Sequence, residues 1–137
     1  MPLDQIKALQ VPAADESALF LWVINCQLGE GLEVMHAWGF ECKGSFVWRK
    51  PSPGQGRWIR NQHELLLFGI RGRFPCPLDS RVPASVIDAP REKNHSEKPK
   101  CVYELIERMY PDVPKLELFA RGKPHRGWTA WGNEVES

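Results

Sequence analysis

The sequence predicts a single α/β domain over residues 1–137, in which helices flank a sheet of mixed strand directions. Short apolar runs of strand-forming residues alternate with segments whose apolar residues recur every three or four positions. Hydrophobic residues make up 42% and charged residues 26% of the chain, which excludes a disordered chain or a coiled coil. No apolar stretch approaches the roughly 20 residues that cross a bilayer. We therefore expect a cytoplasmic protein without membrane contact.

The first half of the chain predicts a strand, a helix and two further strands. Residues 18–24 form a continuous apolar run that is typical of a buried, central strand. Residues 28–38 have a spacing near 3.6 and end at Gly39, which predicts a helix. The positions with that spacing are Leu28, Leu32, Met35 and His36, with Trp38 ahead of Gly39. The two further strands are residues 41–48 and 63–70, and the loop between them contains residues 50–56.

The second half predicts a long loop, a helix and a short strand. Residues 71–98 combine prolines with basic side chains, and only residues 85–87 are typical of a strand. Pro99 is a first-turn proline for a helix that ends before Pro111. Charged and apolar side chains alternate at the start of residues 115–119, which predicts a final short strand.

The charge of the chain is concentrated in its middle. The formal net charge is only +1, but residues 43–100 contain twelve Lys and Arg against five Asp and Glu. A basic segment in a neutral protein favours a polyanion on one face, because phosphate contacts supply most non-specific nucleic-acid affinity. The alternative is a solvated loop surface.

The cysteines and histidines predict no metal site. The four cysteines stand at least sixteen positions apart, and the four histidines are equally scattered. We expect reduced thiols that are buried as small hydrophobes, with Cys26 and Cys101 facing the core.

One segment combines cations, an aromatic residue and amides, a mixture that binds phosphate while it stacks on a base. Its candidate nucleic-acid contacts are Arg57, Trp58, Arg60, Asn61, His63 and Glu64. The alternative is a basic hairpin rim.

Two other clusters are candidate ligand sites. Arg121 follows a strand, where open α/β sheets bind ligands, and Asn133 and Glu134 could accept hydrogen bonds from a ribose diol. Lys98 precedes a helix start, where backbone N–H groups favour an anion. The alternatives are a surface arginine, core tryptophans near a frayed terminus, and an ordinary helix cap at Ser96.

Taken in order, several segments resemble the MT-A-seventy-like (MT-A70-like) family of adenine methyltransferases over nearly the whole chain. The resemblance is closest to the small bacterial and phage members that modify adenine in DNA. The segments are Leu21-Trp22-Val23, Ala37-Trp38-Gly39-Phe40, Val47-Trp48-Arg49-Lys50-Pro51, Gly56-Arg57-Trp58-Ile59-Arg60-Asn61, His63-Glu64, His95-Ser96-Glu97-Lys98-Pro99, Glu117-Leu118-Phe119-Ala120-Arg121, Gly127-Trp128 and Gly132-Asn133-Glu134.

The resemblance implies a Rossmann-like sheet and methyl transfer from S-adenosylmethionine to the exocyclic amine of adenine, without a metal. It implies that Lys98 holds the methionine carboxylate and that Phe119 lines the cofactor pocket. The ribose contacts that it implies are Arg121, Asn133 and Glu134. The segment 57–64 and the basic loop 71–91 would flank the substrate nucleotide, and that loop contains Arg71 and Arg73.

The chain departs from the family in its catalytic motif. The family carries Asp-Pro-Pro-Trp after a first strand, and no Asp-Pro-Pro occurs in these 137 residues, so no catalytic residue is assigned. We expect a member shortened at its N-terminus, which lacks a central parallel strand. An open edge beside residues 18–24 would then be an aggregation liability or a docking place for a second copy or another chain. The alternatives are a non-catalytic nucleic-acid-binding partner, a truncated remnant, or a small α/β protein with neither role.

Overall fold

The computed structural model describes residues 2–94, 97–119 and 125–131, which fall into two compact units. The first unit comprises residues 1–76 and 83–99, and the second comprises residues 77–82 and 100–137. The elements of the first unit are α1 (Leu3–Ala8), β1 (Ser17–Val23), α2 (Leu28–Ala37), β2 (Glu41–Arg49), β3 (His63–Arg71) and β4 (Val86–Asp88). Those of the second are α3 (Cys101–Met109), β5 (Lys115–Leu118) and β6 (Trp128–Trp131). The single domain over 1–137 stays a prediction.

The first unit is built on a four-stranded mixed sheet in the order β1-β3-β2-β4. β3 pairs antiparallel with both β1 and β2, and β4 runs parallel to β2. The register places Leu67 of β3 opposite Leu21 of β1 and Ser45 of β2. The predicted α/β class with mixed strand directions is confirmed.

The prediction that β1 is a central strand is wrong for the sheet that the structure describes, whereas the open edge expected beside residues 18–24 is present there. β1 pairs with β3 alone and lies at the edge, and only Val23 of its residues is buried. The apolar run identified a strand correctly, because strand propensity is local. The number of neighbouring strands cannot be read from a local run of residues. Apolar side chains indicate that the faces of a strand are buried, but they do not show whether another strand pairs with each of its edges.

The core of the first unit forms where α2 meets the sheet. α2 contributes Val34 and Met35, the residue after it is the buried Trp38, and β3 contributes Leu67. The next-door Leu66 is buried on the opposite face of the sheet. The indole N–H of Trp38 donates to the carbonyl of Ile6 at 2.9 Å, which attaches the end of α1.

The predicted apolar face of α2 is only partly correct. Met35 and Trp38 are buried, whereas Leu28, Leu32 and His36 are exposed. The helix turns the face that contains Gly31 toward the sheet, because a glycine allows its closest approach to Val23. A spacing near 3.6 predicts a helix, but it does not decide which of two overlapping stripes is buried.

The prediction that the cysteines are buried is wrong, because all four are exposed thiols. Cys26 lies in the 3-10 turn Asn25–Gln27 before α2. Cys101 is the first residue of α3, and the buried face of that helix begins at Val102. Both positions belong to element ends, where hydrophobicity alone does not ensure burial.

The second unit consists of α3 and a parallel pair of short strands, with Leu116 of β5 opposite Thr129 of β6. The hydroxyl of Tyr103 donates to Glu117 at 2.7 Å, and its ring stacks on His125 at 4.1 Å between ring centres. The sequence analysis did not predict α1 or β6, which are six and four residues long. No helix in the described ranges is long and apolar enough to cross a membrane.

Two glycines of α2 provide a matched test of this packing. A Cβ at Gly31 would overlap the side chain of Val23 and lie 3.5 Å from Leu67, whereas a Cβ at Gly29 would meet nothing within 4 Å. We expect Gly31→Ala to lower the free energy of unfolding by about 1 to 3 kcal/mol through overpacking. Gly29→Ala should raise it by up to about 1 kcal/mol through helix propensity. Urea unfolding measures both, and equal midpoints would contradict the packing of α2 on β1.

Candidate functional site

The carboxylate of Glu64 lies between two lysines in the first unit. The Nζ of Lys50 is 2.8 Å from Oε2 of Glu64, and Lys98 forms a close ion pair with Oε1. The Glu64 side chain is 12% exposed, that of Lys50 is 19% exposed and that of Lys98 is 35% exposed. We name these three residues the charge cluster. Two ammonium groups and one carboxylate leave the cluster with one net positive charge.

The pairing of β2 with β3 positions two members of the charge cluster. Glu64 is the second residue of β3 and lies opposite Trp48, and Lys50 follows the end of β2 directly. The backbone N–H of Lys50 donates to the carbonyl of Gln62 at 2.8 Å. The side-chain amide of Gln62 donates to the carbonyl of Lys50 at 3.0 Å. These two hydrogen bonds hold the backbone of Lys50 in place.

Two tryptophans form an aromatic wall beside the charge cluster. Trp22 and Trp48 meet edge to face with ring centres 6.1 Å apart. The Nζ of Lys50 lies 5.0 Å from the ring centre of Trp48, and that of Lys98 lies 5.6 Å from the ring centre of Trp22. Both distances allow a cation–π attraction. The indole N–H of Trp48 donates to the carbonyl of Ala89 at 2.9 Å, so this ring is also held in place.

Opposing effects set the pKa of Glu64. Partial burial acts to raise it, because burial disfavours the ionised carboxylate. The hydrogen bonds and positive charges of Lys50 and Lys98 outweigh burial, so the pKa of Glu64 lies below its ordinary value. Glu64 is therefore ionised at neutral pH.

The connection between β2 and β3 presents an exposed aromatic residue between cations. Trp58 is 98% exposed, and Arg57 and Arg60 beside it are also exposed. A Cβ at Gly56 would lie 3.2 Å from the carbonyl carbon of Ile59 and closer still to its oxygen, so this turn requires glycine. The indole of Trp58 and the two guanidinium groups are thus available to a planar, anionic partner.

The structure separates the other predicted nucleic-acid contacts. Asn61 and Arg73 are exposed, His63 is half-buried and Glu64 belongs to the charge cluster. Arg71 donates to the backbone carbonyl of Trp38 and, at 3.3 and 3.4 Å, to those of Ala13 and Ala14. Its guanidinium also lies 4.5 Å from the ring centre of Phe40. Arg71 therefore ties the chain before β1 to the end of α2, and its nucleic-acid role stays a prediction.

One predicted cofactor residue lies in the described part of the second unit. Phe119 follows β5 directly, is exposed and has a φ of 56°, a conformation that is strained for a residue other than glycine. Its ring meets Trp131 edge to face at 5.6 Å. Arg121, Asn133 and Glu134 lie outside the described residues.

The sequence analysis assigned no role to Lys50, Trp22 or Trp48. The available signal was the order of a lysine just after one strand and a glutamate at the start of the next, which antiparallel pairing brings together. Among the described residues, no three His, Cys, Asp or Glu side chains are grouped as metal ligands are.

Comparison with known proteins identifies relatives along nearly the whole chain. The family profile of MT-A70 matches residues 1–134. The type II methyltransferase M.MunI of Mycoplasma sp is 36% identical over 138 residues, which cover 98% of this chain and 58% of that protein. The N(6)-adenosine-methyltransferase catalytic subunit METTL3 of Homo sapiens is 31% identical over 145 residues, which cover 97% of this chain and 24% of that protein.

The chain belongs to the MT-A70 family. Its mixed sheet and flanking helices are consistent with the Rossmann-like methyltransferase fold that the family resemblance implies. A putative N(6)-adenosine-methyltransferase of Medicago truncatula is 32% identical over 144 residues, which cover 96% of this chain and 23% of that protein. The chain thus spans little more than half of M.MunI and about a quarter of the plant and human relatives.

The depressed pKa of Glu64 predicts an acid-sensitive contribution to stability. Because its folded pKa lies below the unfolded value of about 4.3, its ion pairs stabilise the fold above that pH and are lost as the pH falls through the folded pKa. We expect Glu64→Gln to lower the free energy of unfolding on the order of 2 kcal/mol at pH 7. The loss should shrink toward pH 3.

Urea unfolding at several pH values measures this effect. The matched control is Glu41→Gln, which removes an exposed carboxylate 3.4 Å from Lys43 and should change the free energy by less than about 0.5 kcal/mol. A pH-independent effect of Glu64→Gln would contradict the charge assignment.

Proposed function

We propose that this chain provides the methyl-donor-binding and nucleic-acid-binding part of an S-adenosylmethionine-dependent adenine methyltransferase. The observation that carries the proposal is the charge cluster, in which Lys98 presents a partly exposed ammonium beside Trp22 in a member of the MT-A70 family. We further propose that the substrate is DNA, because the sequence most resembles the small bacterial and phage members. The proposed location is the cytoplasm.

The described residues fit the donor. An ammonium has three donors, and the bond from Lys98 to Glu64 uses one of them, which leaves capacity for the methionine carboxylate. By the family resemblance alone, Phe119 of the second unit is proposed to line the cofactor pocket. Arg121 and Asn133 are proposed to contact the ribose, and Glu134 to accept from its diol.

The bound donor supplies an electrophilic methyl group, and the chain's residues orient it. Lys98 fixes the carboxylate end by charge and hydrogen bonding, while Glu64 limits the positions that the Lys98 ammonium can take. The acceptor of the adenine amine protons is not assigned to these 137 residues, which contain no Asp-Pro-Pro.

The exposed loop supports the nucleic-acid part of the proposal. Trp58 is available to stack on an unpaired base, and Arg57 and Arg60 can contact phosphates on either side. A duplex would have to release its target base from the stack at a cost of a few kcal/mol, and an exposed indole can offset part of that cost.

Calorimetry with S-adenosylmethionine tests the donor site. The wild-type chain should bind it, and Lys98→Met should weaken binding by at least about tenfold, because a hydrogen bond to a charged group contributes 1.5 to 3 kcal/mol. Arg121→Ala and Asn133→Ala should also weaken binding. The matched control is Lys93→Met, which removes an exposed lysine from the same segment and should have no effect. Equal affinities for Lys98→Met and wild type would refute the proposed role of Lys98.

Fluorescence anisotropy with a labelled single-stranded DNA oligonucleotide tests the loop. Trp58→Ala should weaken binding by about 5-fold to 150-fold, equivalent to 1 to 3 kcal/mol of stacking. The neighbouring Ile59→Ala, also at an exposed apolar residue, should have little effect. Equal losses in the two variants would contradict stacking. DNA binding without donor binding would instead favour the non-catalytic nucleic-acid-binding partner.

A further inference from the structure

Lys50 is the less exposed of the two lysines in the charge cluster, and the proposed donor site does not use it. Its side chain is 19% exposed, against 35% for Lys98, so Lys98 is the lysine that a ligand can reach more readily. We propose that Lys50 is a positioning residue that neutralises and holds Glu64, so that Lys98 keeps a net positive charge for an anionic ligand. The proposal rests on the proposed function in one respect, which is that the ligand is the methionine carboxylate of the donor.

The charge balance gives the first argument. Without Lys50, the pair of Lys98 and Glu64 would be neutral, and a carboxylate approaching Lys98 would meet the negative charge of Glu64 as well. With Lys50, the cluster carries one positive charge in a partly buried place, where screening by water is weaker. The neighbouring cation therefore favours anion binding without touching the anion.

The division of the two carboxylate oxygens gives the second argument. Lys50 contacts Oε2 of Glu64, and Lys98 contacts Oε1. A carboxylate held at one oxygen cannot rotate to offer both oxygens to the other lysine. Lys50 thus limits Glu64 to a single contact with Lys98, and the remaining donors of Lys98 stay available to a ligand.

The fixed surroundings of Lys50 give the third argument. Gln62 forms hydrogen bonds with both the backbone N–H and the backbone carbonyl of Lys50. The ammonium of Lys50 lies over the ring of Trp48. Lys50 and Lys98 are the two charged groups that act on Glu64 among the described residues. A lysine anchored in this way loses little further freedom when it holds Glu64, which suits a positioning role.

The test uses the whole chain and four variants with S-adenosylmethionine as the probe. In calorimetry, Lys50→Gln should weaken binding by about tenfold and Lys50→Arg should retain it. The double variant Lys50→Gln, Glu64→Gln should recover most of the affinity, because it again leaves Lys98 with an uncompensated positive charge. The control Lys43→Gln, at an exposed lysine of β2, should bind as wild type does.

A carbon-13 NMR titration of the Glu64 carboxyl provides a second readout that needs no ligand. Lys50→Gln should raise the pKa of Glu64, and Lys50→Arg should leave it depressed. The double variant places no unpaired carboxylate in the site, so it also tests the proposal if Lys50→Gln alone does not fold.

The outcomes separate this inference from the proposed function. A wild-type chain that binds the donor, together with a Lys50→Gln variant that binds it equally well, would overturn the role of Lys50 alone. Failure of the double variant to recover affinity would also overturn it. A folded wild-type chain that binds no donor would refute the proposed function and the ligand-directed role of Lys50 together. The Glu64 titration would then show separately whether Lys50 holds the carboxylate.

Discussion

A carboxylate that is largely removed from water must be compensated, and the first unit is arranged around that requirement at Glu64. An isolated buried charge costs several kcal/mol, whereas a charge with two hydrogen-bonded partners is tolerated. The two lysines come from the end of β2 and from the segment before α3, 14 residues before Glu64 and 34 residues after it. Moving either segment would leave a charge without its partner, so the pairing of β2 with β3 also fixes the charges of the site.

The local elements of the fold could be predicted, but their neighbours could not. The helix at 28–38 and the strands at 41–48 and 63–70 were predicted within one residue at each end, because periodicity and glycine stops are local signals. The place of β1 at an edge depends on partners far along the chain. The burial of Leu28 and the exposure of Cys101 were misjudged for the same reason, since both depend on which face meets another element.

The candidate site shows a similar division. The sequence predicts Lys98 as an anion contact, which stays a prediction, and places Trp58 as an aromatic residue among cations, where it is almost fully exposed. It predicts a strand from residue 63 but counts Glu64 among the nucleic-acid contacts of the loop, whereas the structure brings Glu64 into the charge cluster. Lys50 had no assigned role, because its significance lies in a contact through space and not in any motif.

A double-mutant cycle on unfolding free energy tests the central claim that Lys50 and Glu64 act as one electrostatic unit. The cycle compares wild type, Lys50→Gln, Glu64→Gln and the double variant by urea unfolding at pH 7. The account predicts that the double variant is more stable than the sum of the single losses allows, with a coupling of at least about 1 kcal/mol. Losses that add to within about 0.5 kcal/mol would contradict it.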